Sequence, residues 1–418
     1  MENIYLCIDL KTFYASVECV ARGLDPFKTN LVVADPSRGK GAICLAVSPK
    51  MKEQGVRNRC RVFEIPNHIE FITALPRMKL YMEYSADIYA IYLKYVSKDD
   101  IHVYSIDEAF LDITHYKKLY GLSAKELAKR IMDDIYVTTG ITATAGIGTN
   151  LYLAKVALDI TAKHTENHMG ILNKERYRKT LWHHQPLTDF WQVGRGIAKR
   201  LAKYGIVDMY GITQIEERIL YKEFGVNAEY LIDHAWGKEP TKISDIKQYK
   251  SKSNSFSNHQ ILFENYVYED VVLVIKEMVE LSVQDLVEQH LVCDRIGLYI
   301  GYADDEIKST GGYTKLPWKT NSYQILVKEF LKVYQKTANP HHLIRRVGIT
   351  FGDVVDDLYE SYDLFMDMEA LEKEKKLQSA LIEIKHKYGK NAVLKGMNML
   401  DKATTRQRNK LVGGHNAE

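Results

Sequence analysis

Two adjacent carboxylates, Asp107 and Glu108, stand in the run Ser105-Ile106-Asp107-Glu108-Ala109, between the apolar stretches Ile101-His102-Val103-Tyr104 and Phe110-Leu111-Asp112-Ile113. Two short apolar runs around such a break read as a β-hairpin with an acidic tip. A third carboxylate, Asp9, closes the first apolar run of the chain, Ile4-Tyr5-Leu6-Cys7-Ile8. Three acids brought to one sheet edge by separate strands suit a pair of Mg²⁺ ions, which prefer hard oxygen ligands and share them with substrate phosphates.

The elements that must position these acids follow from the residue pattern. Residues 4–8 read as a strand, 13–21 as a helix and 81–96 as a long tyrosine-rich helix. Ser123, with Glu126 three residues on, caps a helix that stops at Gly140, and a strand over 141–147 and a helix from Asn150 to about 163 follow. A basic glycine loop, Pro36 to Gly41, lies after Leu31-Val32-Val33-Ala34, and a short helix over 49–54 ends at Gly55. With the insertion 16–76 set aside, the order is strand, helix, strand, strand, helix, strand, which is the ferredoxin-like βαββαβ order. That topology seats the first strand beside the acidic hairpin. Topology alone therefore brings Asp9 to Asp107 and Glu108.

Short helices fill 167–240. Phe190-Trp191-Gln192-Val193-Gly194-Arg195-Gly196-Ile197, followed by a helix over 198–204, resembles a helix-hairpin-helix. Its glycine turn lets backbone N–H groups approach phosphate, so Gly194 and Gly196, with Arg195 and Lys199, are expected to hold a nucleic-acid backbone. A looser copy lies at Phe224-Gly225-Val226. After a Lys/Ser/Asn-rich linker, residues 254–353 repeat the βαββαβ order: strand 255–263, helix 269–289, strands 294–302 and 312–316, helix 323–335 and strand 345–351. Lys250, Lys252, Ser253 and Ser255, with Lys315, Arg345 and Arg346, are placed to line a duplex, giving position and salt dependence more than sequence preference. A charged helix over 368–387 carries Leu377, Leu381, Ile384 and Tyr388 at helical spacing. So short an amphipathic helix is marginal alone and is expected to dock on this chain or on a partner.

At 418 residues the chain suggests two to four domains, and a 46% hydrophobic fraction excludes a disordered composition. The net charge of +3 hides 57 Lys and Arg residues, enough for a basic stripe beside an acidic site. Five cysteines (Cys7, Cys19, Cys44, Cys60, Cys293) form no zinc-type pair and read as buried reduced thiols. No apolar run is long enough to span a membrane, and Asp9 and Lys11 within the first segment argue against a signal peptide. A reducing cytoplasm is the expected setting.

Asp9-Leu10-Lys11-Thr12-Phe13-Tyr14-Ala15-Ser16-Val17-Glu18 and Ser105-Ile106-Asp107-Glu108-Ala109-Phe110 resemble the two catalytic motifs of Y-family translesion DNA polymerases, in the UmuC-like branch and its UvrX type. The resemblance covers roughly 1–355. It implies an α/β (α+β) right-hand polymerase: a ferredoxin-like palm (1–15 and 77–166), small fingers (16–76), a helical thumb with the helix-hairpin-helix (167–240), a linker (241–253), a βαββαβ little finger (254–356) and a C-terminal tail (357–418). It further implies template-directed transfer of dNMP from dNTP to a primer 3′-hydroxyl with two Mg²⁺ ions, in DNA repair and SOS mutagenesis. Asp9 and Asp107 would bridge both ions, Glu108 would favour the catalytic one, and the Leu10 carbonyl would complete the nucleotide metal. Tyr14 matches the sugar-selecting aromatic with Phe13 beneath it, and Lys163 matches the lysine that reaches the triphosphate. Lys52 falls where the family places a cation for the β/γ-phosphates, with Arg38 and Lys40 in a loop facing the same pocket. Ala42, Cys44 and Ala46 give a roomy roof, hence low fidelity, and no stretch offers a proofreading exonuclease. Ser361-Tyr362-Asp363-Leu364-Phe365 resembles the sliding-clamp peptide of many members. The resemblance also brings primer-template DNA, an accessory subunit or RecA-type filament, and a bacterial, nucleoid-associated location.

Two other readings stay open on the residues alone. A palm-type nucleotide cyclase shares the βαββαβ core and metal acids, although the hairpin glycines and the last domain speak against it. A non-catalytic DNA-binding scaffold that recruits polymerases would have no need of all three acids.

Overall fold

The computed structural model describes residues 3–251, 254–364 and 366–418. They form two compact units, one running up to Tyr249 and taking in His415–Glu418, the other Lys250–Gly414. No helix among the described residues is long and apolar enough to cross a membrane.

In the first unit, Tyr5–Leu10 is the central strand of a five-stranded sheet. Its first four residues are buried on both faces, as for a strand covered by helices on each side. It pairs antiparallel with Glu108–Asp112 on one side and Ala143–Gly148 on the other, and Ile101–Val103 lies outside Glu108–Asp112. These four strands have the expected ferredoxin-like arrangement. A fifth, Met169–Leu172, adds parallel to Ala143–Gly148, a strand at the start of the stretch expected to hold only short helices. Ser123 caps the helix Ala124–Thr139 with Glu126 in a capping box, and Gly140 ends it at φ 70°.

Glycines set how closely the next helix packs. A Cβ on Gly146 would stand 2.1 Å from the Ala154 carbonyl oxygen, and one on Gly148 2.1 Å from the Ala154 nitrogen. The helix Leu151–Val156 therefore lies directly on bare strand, and a π-helical turn at Ala157–Thr161 follows it. The fingers have their own sheet of Ala46–Val47, Leu31–Val33 and Ile72–Ala74, over a core that includes Val32, Cys44, Met51 and Ile69. The polar stretch expected as a linker folds in part: Ile243–Gln248 is a helix, and Ile243 packs with Tyr5, Cys7 and Phe110. Ile243 and Ile246, one helical turn apart, are enough to dock it.

In the second unit the elements follow the expected chain order: Phe256–Tyr266, Tyr268–Glu288, Leu291–Tyr302, Thr310–Thr320, Tyr323–Thr337 and Ile344–Gly352. Their winding differs from that of the palm. The sheet runs Thr310–Thr320, Leu291–Tyr302, Ile344–Gly352, Phe256–Tyr266, so the second and fourth strands are central here, where the palm centres its first and third. The repeat is thus one of element order, not of sheet topology.

The C-terminal stretch expected as a tail belongs to this unit. Met368–Tyr388 packs on Tyr268–Glu288 within the same chain. The apolar stripe is not what docks it: Leu377 and Tyr388 are 55% and 67% exposed, while Gln378 is 3% exposed. Charged residues make the contacts instead. Glu374 accepts from Tyr323 N (2.6 Å) and Ser322 Oγ (2.8 Å), capping the helix Tyr323–Thr337, and Lys385 donates to Gln284 (2.9 Å). Further on, the buried Glu277 carboxylate accepts from Thr404 N (2.6 Å), Thr404 Oγ1 (3.0 Å) and Asn398 Nδ2 (2.9 Å).

Candidate active site

The backbone brings the acidic motifs together before any side chain is considered. Asp9 lies opposite Glu108 in the strand register, and Leu10 N donates to the Asp107 carbonyl at 2.9 Å. The hairpin tip is tight, with Tyr104 N and Ser105 N both donating to the Glu108 carbonyl. Ser85 Oγ, from the helix Met78–Leu93, donates to the Ile106 carbonyl at 2.6 Å and ties the tip to the layer behind.

The side chains divide into two sets. Asp107 accepts from Ser105 Oγ at 2.7 Å and stays near the tip. Glu108 is buried and turned inward: its oxygens accept from Lys155 Nζ (2.8 Å) and Cys7 Sγ (3.1 Å). Lys155 also meets Asp159 at 3.0 Å. Burial pulls the Lys155 ammonium down, but Asp159 and Glu108 outweigh that and hold it above its ordinary range. Among the described residues no three His, Cys, Asp or Glu side chains are gathered as a metal-holding group. The expected triad therefore shares one edge, with its third member engaged by a lysine.

Electrostatics still favour a cation there. Burial, followed by the charges of Asp107 and Glu108, pushes the Asp9 carboxyl up to about 7. The donor set (two carboxylates near the tip, with the Leu10 backbone between the motifs) is all hard oxygen, and its excess negative charge fits Mg²⁺.

Lysines converge on the same edge. Lys52 is held below its ordinary range by burial; Asp9 pulls it up, while Lys163 and Lys11 press it down, so these three side chains lie within electrostatic reach of Lys52. Lys52 sits on the helix Pro49–Glu53, capped by Ser48, and Lys163 is exposed just beyond the π-helical turn. Lys11 went unrecognised in the sequence. It packs 3.3 Å from the ring nitrogen Nε2 of His168 and 5.6 Å from the Phe27 ring centroid. Its place directly after the strand-ending Asp9-Leu10 was the available signal.

Tyr14 stands on the helix Phe13–Val20, half-buried, and its hydroxyl is pushed up by burial and then by Asp107. Phe13 is buried beside it, with ring centroids 5.9 Å apart. The Tyr14 ring stacks on Tyr81 at 4.5 Å and 21°. Tyr81 in turn donates to the fully buried Glu18 at 2.7 Å, which also pairs with Arg77 (2.7 Å) and Arg22. This Tyr81–Glu18–Arg77 brace was also missed, because its members lie 63 and 59 residues apart in sequence.

Away from the palm, the helix Arg195–Ala202 starts three residues earlier than expected. Gly194 is its N-cap and Gly196 lies in its first turn. Nothing lies within 4 Å of either glycine's missing Cβ, and Arg195 and Lys199 are exposed, which leaves the helix N-terminus open to an anion. In the second unit, the sheet face opposite the helices carries Arg346 and Lys315, both exposed. Arg345 falls at a register shift beside Arg346, and Ser255 is exposed just before the first strand. Several residues of that face are glycines, among them Gly297, Gly301 and Gly348. A Cβ on Gly297 would strike the Tyr313 ring at 2.5 Å, and one on Gly348 the His259 ring at 2.2 Å, so both rings lie against bare backbone. Tyr299 is partly exposed beside Gly301. Alternate glycines in strands were the unused signal for this face. Leu364 is fully exposed and Tyr362, 45% exposed, donates to Glu360 at 2.6 Å. Asp363 lies between them, while Lys252, Ser253 and Phe365 fall outside the described residues.

Residues 8–159 match the model of the impB/mucB/samB family, and residues 253–364 match that family's C-terminal domain. A UV-damage repair protein named UvrX from Bacillus subtilis (strain 168) is 31% identical over 98% of this chain and 97% of its own length. DNA polymerase IV 2 of Halalkalibacterium halodurans is 27% identical over 99% of this chain and all of its own length. DNA polymerase IV 2 of Bacillus subtilis (strain 168) is 28% identical over 99% of both chains. Among solved structures, a Y-family DNA polymerase chimera of Dbh and Dpo4 aligns with a TM-score of 0.66 at 21% identity, over 84% of this chain and 99% of its own.

The raised Asp9 carboxyl generates a test that needs no activity. Replacing Asp9 by Asn removes one charge from a partly dry cluster, so metal-free Asp9→Asn should be more stable than the parent at pH 8 by about 1 kcal/mol. Equal urea midpoints would mean that the acids do not repel.

Proposed function

The chain belongs to the impB/mucB/samB family, and on that premise we propose how its palm edge carries out DNA synthesis. It is a DNA-directed DNA polymerase of the lesion-bypass type, with primer-template DNA and dNTPs as its substrates. The reaction joins the primer 3′-oxygen to the α-phosphorus of the dNTP and releases pyrophosphate. Two Mg²⁺ ions, when bound, supply the lowered pKa of the 3′-hydroxyl and the neutralisation of the leaving pyrophosphate. The observation that carries this reading is the raised Asp9 carboxyl, set among Asp107, Glu108 and the lysines.

Asp9 and Asp107 would hold the ions, helped by the Leu10 carbonyl, and Glu108, which meets Lys155 at 2.8 Å, would be the third carboxylate of the set. Lys52, Lys163 and Lys11 take the triphosphate as point charges, without the forked geometry of arginine. Tyr14, held flat by Tyr81, fills the space a 2′-hydroxyl needs, with Phe13 fixing its other side. The catalytic palm spans 1–15 and 77–166, with fingers at 16–76 whose small Ala42 and Ala46 leave room over a distorted base pair. The amides beside Gly194 and Gly196, with Arg195 and Lys199, grip primer phosphates. Ser255, Arg345 and Arg346, on a little finger at 254–356, steady the duplex. The exposed Leu364, with Tyr362 and Asp363, engages a sliding clamp.

Primer extension tests each part. Asp107→Ala should lower extension by at least about a thousandfold while DNA binding survives. Extension at the parental rate would remove Asp107 from the metal site. Tyr14→Ala should incorporate ribonucleotides readily at near-parental rates for dNTPs, and unchanged sugar discrimination would return that ring to core packing. Leu364→Ala should slow extension only on clamp-loaded templates. Equal loss with and without the clamp would assign Leu364 a structural part.

A further inference from the structure

The fingers hold a pair of thiols that the reaction does not use. Ile43 and Arg61 form an isolated antiparallel bridge, flanked by Cys44 N donating to the Cys60 carbonyl (2.8 Å) and Val62 N to the Ala42 carbonyl (3.0 Å). Cys44 and Cys60 are therefore direct cross-strand neighbours. In such a pair the Cα atoms stand about 5.5 Å apart, inside the range a disulfide spans. The two thiols lie within electrostatic reach of each other. Arg59, at φ 63°, turns the chain back so that its N–H reaches the Cys44 carbonyl at 2.9 Å and closes the ladder there.

The two sulfurs differ in access. Cys44 is fully buried in the fingers core, whereas Cys60 is the one cysteine of the five that reaches solvent. Cys7, Cys19 and Cys293 are buried, and Cys7 and Cys293 spend their thiols on Glu108 and the Thr320 carbonyl.

We propose that Cys44 and Cys60 are a redox modification site, forming a reversible disulfide in response to a peroxide. The Cys60 thiolate attacks one peroxide oxygen. The O–O bond breaks, hydroxide leaves and takes up a proton as water, and Cys60 becomes a sulfenic acid. Cys44 then gives up its proton, its sulfur attacks the Cys60 sulfur, and the S–O bond breaks with release of a second water. Two thiols and one hydrogen peroxide thus become one disulfide and two waters. The bond closes a loop that contains the helix Pro49–Glu53 and therefore Lys52. Oxidation staples that segment to the fingers core, reduction frees it, and the chemistry holds whatever the fingers bind.

The test uses the full chain treated with hydrogen peroxide, alkylated, and read by intact mass and non-reducing peptide mapping. The expected result is loss of two hydrogen atoms per chain, one cross-linked peptide pair containing Cys44 and Cys60, reversal by dithiothreitol, and a rise in Tm of several degrees on oxidation. Cys60→Ser should abolish the cross-link and leave Cys44 unalkylated until the chain is denatured. Retained oxygen on Cys60 without a cross-link, dimers joined through Cys60, or a cross-link between other cysteines would overturn the proposal. The wild-type peptide map decides the matter even where Cys60→Ser folds poorly. A primer-extension failure would leave this outcome untouched.

Discussion

Like charge crowded against a partly dry sheet edge is the constraint around which the first unit is arranged. Asp9, Asp107 and Glu108 arrive there because the central strand and the acidic hairpin are neighbours in register, so the fold itself imposes the repulsion. Lys155 offsets one of the three charges from within, at 2.8 Å from Glu108. Removing one partner of a pair that buried typically costs about 3–5 kcal/mol, because the other charge is left stranded. Asp9 forms no ion pair among the described residues, and burial, followed by the charges of Asp107 and Glu108, pushes its carboxyl up to about 7. The glycines of Ala143–Gly148 belong to the same arrangement: only a strand without side chains there lets the helix carrying Lys155 come close enough.

The brace behind Tyr14 applies a similar logic to shape. A tyrosine proposed to exclude one oxygen atom is best held still. Its stack on Tyr81, tied through Glu18 to Arg77 and Arg22, replaces side-chain freedom with an ion-paired support. The neighbouring Phe13 is buried, its ring centroid 5.9 Å from that of Tyr14.

Much of this was legible from residue types and order. The two acidic motifs, the strand order that unites them, and the Ser123–Gly140 helix follow from local rules of capping, turn and alternation. What escaped shares a physical cause: each missed feature depends on pairings between distant segments. Met169–Leu172 is four residues long and becomes a strand by joining an edge already built. The Ile243–Gln248 helix has linker-like composition and is held by Ile243 and Ile246 in a core made elsewhere. The C-terminal helix misleads more directly, since its apolar stripe faces solvent while Glu374, Gln378 and Lys385 make the contacts. Periodicity finds an apolar face; it does not find a helix that docks through caps and hydrogen bonds. The winding of the second sheet is likewise invisible to element order, because the same six elements close in two ways.

The open face of that second sheet is made of rings laid flat on glycine, with cations beside them. Stacked rings and side-chain charge hold a sugar-phosphate backbone more than they read bases. If a duplex lies on this face as proposed, it would meet nearly the same landscape after each step. An enzyme that must move on by one nucleotide whatever the sequence, and whatever injury it carries, is served by a surface with so little memory of where it was.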